Sequence, residues 1–362
     1  MFRFASSPAL TGASLARAAT KRSTTATNTA TTTTSNANFT TRRGLQTVSL
    51  QLDYYMSAQF AGIATALTSS MYEKAGIDLK FLPICPVGLE MERVRQASAE
   101  DKVTIGSVEQ NIFIPTLYND PSLKLKAVAA MFHRSPLCLA SIDGEGSKQE
   151  IVVGAHEDTV SLIERIVASS TEDRQYKVIA SPRATKNTDL MSGKLDAIQA
   201  YLTTEVPTLE QKLRDSGNSN SSIAAPALEG MYGAKLGYSQ LLFAPEEDLA
   251  ANDKREVVKK FLDVTFQGWD MAIQDNAAAA DAVEEAKSML GLDDESNDHW
   301  DNSRSYQIQN VGLCCDFVEK TRQGEKYGVL SKKRFNEATE WLLDDKAPPA
   351  EDFGLDATVW QP

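Results

Sequence analysis

Residues 50–81 read LQLDYYMSAQFAGIATALTSSMYEKAGIDLKF. Leu50 and Leu52 alternate with polar neighbours, as a half-buried strand does. Asp53-Tyr54-Tyr55 interrupts that pattern with groups that both stack and hydrogen-bond. A helix of small residues is predicted from about Ala58, with Gly76 as its C-cap. Ile77, Leu79 and Phe81 then resume the period-two spacing. Strand, turn, helix, strand is a βαβ unit. Its first turn falls at the carboxyl end of a strand, where open α/β sheets bind ligands. Asp-Tyr-Tyr is therefore a candidate ligand contact. Spacing alone leaves open a surface turn with incidental tyrosines.

The start of the chain has another character. The first acidic residue is Asp53, and six basic residues precede it. MFRFASSPALTGASLARAATKR suits an amphipathic, Arg-bearing helix, and a Ser/Thr-rich tract and Arg42-Arg43 follow. This composition is that of an organelle transit peptide, most simply a mitochondrial matrix one, over residues 1–46. A Thr-rich disordered tail is the alternative. No apolar run is long enough for a secretory core or a membrane span. Without residues 1–46, 31 of the 37 basic residues face all 49 acidic ones, a net charge of −18. Such a surface repels phosphate backbones, so nucleic acid is not an expected partner. Cys85, Cys138, Cys314 and Cys315 show no CxxC spacing, which argues against a disulfide framework or a zinc site. The pair Cys314-Cys315 reads as small apolar residues buried in a helix.

The alternation of strand and helix continues. LKLKAVAAMFHRSPLCLASI reads as two strands broken at His133-Arg134-Ser135-Pro136, and DGEGSKQE (143–150) as a polar linker. EIVVGA and YKVIAS are strands around a helix whose start carries Glu157, Asp158 and Thr159. TKNTDLMSGKLDAIQAYL reads as helix, turn and strand, and YSQLLFAP (238–245) as a strand leaving this region. From Asp253 the chain is mostly helical. The order predicts an α/β protein of two lobes with mainly parallel sheets and an interlobe cleft that closes by hinge motion.

AQFAGIATAL, YEKAGIDLKFLP, FHRSPLCLAS, LMSGKLDAIQAY and VVKKFLDVTFQGWDMAIQDN together resemble the family of fungal thiamine pyrimidine synthase. That family also holds bacterial periplasmic proteins that bind pyrimidine precursors of thiamine, sulfonates or nitrate. The resemblance spans about residues 48–345. It implies a type II periplasmic-binding-protein fold, with lobe 1 formed by 47–142 plus 242–362 and lobe 2 by 143–241. The synthase makes hydroxymethylpyrimidine phosphate from pyridoxal phosphate and its own histidine, with iron. That chemistry needs a lysine, a histidine four residues later and a Cys-rich motif. The resemblance places these on Val108, Ile112 and Ala234-Lys235-Leu236-Gly237-Tyr238, which lack all three. A valine cannot form an aldimine, so binding without catalysis and without cofactors is expected. Pyridoxal phosphate and iron belong to the alternative, a synthase with relocated residues.

The ligand expected is a small aminopyrimidine. The resemblance puts Asp53 and Tyr54 on the cleft wall as a polar-plus-aromatic pair, with Gln59 beside them. Offset stacking on a ring is worth roughly 0.5–1.5 kcal/mol beyond area burial. Glu205, close after Tyr201, takes the position that faces the ligand's amino group, and a carboxylate accepts well from an amine. Its alternative is an acid at a helix start before Pro207. Gly154 and His156 fall on the family's phosphate loop, although Glu157 and Asp158 there oppose an anion. Arg134 reads as a hinge salt bridge, with a ligand anion as its other use. DDESNDHWDNS (293–303) is acid-rich but lacks the glycine of a calcium loop and reads as solvated. A homodimer stands among the expected assemblies.

Overall fold

A computed structural model describes residues 44–362, apart from 87, 100–101, 144–148, 158, 171–173, 218–220, 291–302, 322–323, 325, 345 and 347–351. The expected transit peptide (bar its last residues), Asp158 and nearly all of the acid-rich run at 293–303 lie outside the described residues.

Two five-stranded sheets organise the chain. Along the sequence come β1 (Gln46–Gln51), α1 (Ala61–Thr68), α2 (Met71–Lys74), β2 (Ile77–Phe81), α3 (Glu90–Ala97), β3 (Lys102–Val108), α4 (Gln110–Asn119) and β4 (Leu125–Phe132). The second sheet follows with β5 (Leu137–Ile142), β6 (Glu150–Ala155), α5 (Val160–Ala168), β7 (Gln175–Ala180), α6 (Arg183–Met191), β8 (Ala197–Tyr201), α7 (Glu205–Asp215) and β9 (Ile223–Ala224). The chain returns in β10 (Ser239–Pro245) and ends in α8 (Glu246–Ala250), α9 (Asn252–Gln274), α10 (Asn276–Met289), α11 (Arg304–Thr321) and α12 (Lys332–Leu343). The strand orders are β2-β1-β3-β10-β4 and β7-β6-β8-β5-β9.

In each sheet four of the five strands run in one direction, as expected, and a single reversed strand makes the sheet mixed. β1 pairs parallel with β2 and β3, and β6 with β7 and β8. β10 and β5 run antiparallel to both of their neighbours. Each of these two strands enters its sheet directly from the other sheet, with no crossover helix to reverse its direction. The same topology moves the boundary expected at 142. Leu137–Ile142 pairs with β8, so the chain leaves the first sheet at 133–136. On the return, the first sheet resumes at Ser239, ahead of the expected 242.

The largest core lies between the first sheet and α1, α9, α10 and α11. α1 and α9 approach on glycines. A Cβ on Gly268 would lie 2.1 Å from the Gly62 carbonyl oxygen, and one on Gly62 would lie 2.3 Å from the Trp269 ring. Trp269 fills the space so made and is fully buried. The Tyr72 hydroxyl meets Thr265 Oγ1 at 2.8 Å across the same layer, and burial raises its pKa despite that bond. Cys314 and Cys315 are buried in α11, as a helix of small apolar residues requires.

Candidate functional site

The parallel register sets the carboxyl ends of β1 and β3 side by side, with the start of antiparallel β10 next to them. Asp53 follows β1. Its backbone N–H donates to Ser107 Oγ at 3.2 Å, and Ser107 Oγ donates back to Asp53 Oδ1 at 2.7 Å. Gln240 Nε2 donates to Asp53 Oδ2 at 3.3 Å. Three elements thus hold one carboxylate at the sheet edge. Tyr54 and Tyr55 meet edge to face, with ring centroids 5.4 Å apart. Gln59 sits in the 3-10 turn Ala58–Phe60 that leads into α1, and its residue is buried.

Gln240 was not expected from the sequence. It is 1% exposed and holds a left-handed backbone, φ 51°, inside β10. A non-glycine residue there carries strain of order 1–3 kcal/mol, a feature that clusters at ligand sites. Its Nε2 is committed to Asp53, which fixes the amide orientation. Its Oε1 has no hydrogen-bond partner. Gln51, at the end of β1, repeats the pattern: Nε2 donates to the Leu52 carbonyl at 2.9 Å, and the buried Oε1 has no partner. This edge therefore has more buried acceptors than donors.

The second sheet contributes a different set. Lys186 in α6 is 2% exposed. Its Nζ contacts His156 Nε2 at 2.9 Å, the Gln199 carbonyl at 2.8 Å and Glu205 Oε1 at 3.0 Å. All three ammonium donors are used, and the His156 ring accepts at Nε2. Glu205 opens α7, where its Oε2 also accepts from the Tyr201 N–H at 3.0 Å and Thr204 Oγ1 at 2.9 Å. Burial pulls the Glu205 carboxyl up, but the charge and hydrogen bond of Lys186, helped by Thr204, hold it below the ordinary range. Gln199 Oε1 accepts from the His156 N–H at 2.9 Å, and Thr159 Oγ1 also donates to it.

The structure thus joins His156, Glu205 and Tyr201 in one network, through a lysine that sequence reading missed. Both oxygens of Glu205 are engaged there by protein donors. Gly154 lies inside β6, where a Cβ would come 2.5 Å from Leu195 Cδ1. Packing accounts for that glycine. Val108 and Ile112 belong to the first-sheet core and its flank, and Ala234–Tyr238 to the return crossover.

Among the described residues, a side-chain hydrogen bond joins the facing edges of the two sheets. Tyr201, ending β8, donates its hydroxyl to Glu109 Oε1 at 2.7 Å, just past β3. Ser239 Oγ donates to the same oxygen at 3.1 Å. Burial, and then the charge of Glu109, push the Tyr201 phenol well above its usual range. The carboxyl edges of both sheets therefore face one another, with Asp53 and Tyr54 on one side and His156, Lys186 and Glu205 on the other.

Two mixed sheets with apposed carboxyl edges and two direct crossovers define the periplasmic-binding-protein class of fold. One solved structure agrees on the fold. The ligand-binding component of an ABC-type import system from Staphylococcus aureus, determined with zinc bound, superposes with a TM-score of 0.54 at 12% identity, over 87% of this chain and 97% of that one. The periplasmic aliphatic sulphonate binding protein SsuA of Escherichia coli gives 0.46 at 10% identity, over 88% and 92%. The CA3427 gene product of Candida albicans gives 0.45 at 11%, over 81% and 94%. No protein of curated function matches the sequence. The chain belongs to the NMT1/THI5-like family, whose model matches residues 57–279.

Proposed function

We propose that this protein binds a small aminopyrimidine of the hydroxymethylpyrimidine type, in thiamine-precursor metabolism, and performs no chemistry on it. The observation that carries this reading is the acceptor-rich edge at Asp53. The buried Gln240 and Gln51 amide oxygens lack donors, and an unsatisfied buried acceptor costs about 1–3 kcal/mol. A ring bearing an exocyclic amine brings donors to such an edge, and Tyr54 with Tyr55 offers it aromatic surface. Membership of the NMT1/THI5-like family favours a small-molecule ligand.

The second reading, a pyrimidine synthase with relocated residues, draws on the contact between Lys186 and His156. The residues do not fit pyridoxal phosphate there. An aldimine needs a lysine with a free lone pair, and Lys186 is a buried ammonium spent on three acceptors, one of them a carboxylate. Iron fares no better, because among the described residues no cluster of His, Cys, Asp and Glu can hold a metal. No step is assigned to either group.

Titration calorimetry with hydroxymethylpyrimidine and with formylaminopyrimidine tests the proposal. Saturable binding at a Kd of about 1 mM or tighter is expected. A flat titration with both compounds refutes it. The proposed site of action is the mitochondrial matrix, which a fluorescent fusion carrying residues 1–46 checks by imaging. The proposed assembly is a homodimer, which light scattering checks.

A further inference from the structure

A cavity of about 320 Å³ lies between the first chain crossover, the loop after β8 and helix α11. Leu202, Leu313 and Phe317 give it apolar walls. Phe317 is fixed by an edge-on contact with Phe132, centroids 5.4 Å apart. The polar lining is Arg134, Thr203 and the Asp316–Lys320 pair. Asp316 and Lys320 lie 2.8 Å apart and cancel each other's charge. Arg134 makes no ion pair among the described residues; Glu229 acts on it only through space. Among the described residues the hinge salt bridge expected of Arg134 is therefore not formed, and its guanidinium faces the cavity without a counter-charge there. Thr203 is 2% exposed, and its Oγ1 finds no oxygen or nitrogen partner, only the Cys314 thiol beside it.

We propose that this cavity is a second ligand site, for a small organic monoanion with an apolar body. Arg134 supplies a fork of donors for a carboxylate or similar group. The Thr203 hydroxyl donates from below, and the three apolar side chains take the body. The volume is at the small end for ligand pockets, about 300–1,000 Å³, which suits one ring and one anionic group. The site is separate from the Asp53 edge. The Asp53 edge is built on β1, β3 and β10 through Ser107 and Gln240, and none of those residues lines the cavity. One wall, α11, follows residue 279, where the family match ends.

Benzoate and its neutral analogue benzamide are the probes, used on the full chain by calorimetry and ligand-observed NMR. Benzoate is expected to bind with a Kd of about 1 mM or tighter, and benzamide about tenfold weaker or less. Arg134→Gln, which removes the charge, and Leu313→Trp, which fills the cavity from a half-buried helix position, should each weaken benzoate about tenfold. Hydroxymethylpyrimidine binding should be unchanged in Leu313→Trp. Should Arg134→Gln fail to fold, Leu313→Trp decides. The proposal is overturned if benzoate does not saturate, if benzamide binds equally well, if the folded variants bind benzoate as wild type does, or if benzoate competes with hydroxymethylpyrimidine. Because the two probes are titrated separately, loss of the pyrimidine site and loss of the anion site are distinguishable.

Discussion

Replacing Lys186 by Met isolates the buried network of the second sheet. The methionine keeps the apolar stem and removes the ammonium that Glu205, His156 and the Gln199 carbonyl share at 2.8–3.0 Å. Lys186 is 2% exposed and Glu205 6%, so solvent cannot replace the lost partner. Removing one member of a buried pair costs about 3–5 kcal/mol, because the other charge stays behind uncompensated. At about 2 °C per kcal/mol for a chain of this size, the melting temperature at pH 7 should fall by roughly 6–10 °C. The pH dependence gives a sharper test. In the wild type the Glu205 carboxyl lies below its ordinary value. Its contribution is then present above about pH 4.5 and is lost as pH falls through the folded-state value. In Lys186→Met, burial has no counter-charge and raises that value. The carboxyl then destabilises the fold at neutral pH and ceases to do so once protonated. The stability gap should therefore shrink as pH is lowered from 7 toward 4.5. Urea titrations monitored by circular dichroism at several pH values measure it. A gap under about 1 kcal/mol at pH 7, or one independent of pH, refutes the buried-pair reasoning.

Asp53→Asn should weaken hydroxymethylpyrimidine about tenfold or more in calorimetry, while Glu205→Gln should change affinity little and chiefly lower the melting temperature. Tyr201→Phe removes the hydroxyl that reaches Glu109; it should cost about 1.5–3 kcal/mol in urea unfolding and enlarge the radius of gyration in X-ray scattering. Gly268→Ala drives a methyl into the Gly62 carbonyl, 2.1 Å away. It should destabilise by roughly 1–3 kcal/mol in a melting assay.

The strands were legible because their period is local. EIVVGA, KVIA and SQLLFAP each became a strand where alternation and flanking turns placed one. Sheet membership was not legible. The break at His133–Pro136 reads equally well as a hairpin within one sheet or as a passage between two, and only the pairing of Leu137 with Tyr201 decides. The antiparallel direction of β5 and β10 is non-local in the same way. Lys186 escaped because TKNTDL looks like a solvated helix surface. A signal was present nonetheless. Leu190, fully buried, lies four residues on and marks the inner face that Lys186 shares. Gly154 shows a packing role that sequence alone did not reveal: the space its missing Cβ leaves is taken by Leu195.

The two edges of the cleft differ in chemistry, and that difference decides which residues can recognise a ligand. Recruiting Glu205 to an amine would mean parting it from Lys186, Thr204 and the Tyr201 amide, bonds already made at 2.9–3.0 Å. A ligand would have to restore several kcal/mol before any affinity appeared. At the opposite edge the balance is reversed. The Gln240 amide oxygen is buried without a donor, on backbone held in the left-handed region, and its nitrogen holds the carboxylate of Asp53. There a donor group repairs a deficit instead of breaking a bond. Recognition of an amino group is therefore expected from the first sheet. The second sheet supplies a rigid wall, braced by Lys186 and tied across the cleft by Tyr201 and Glu109.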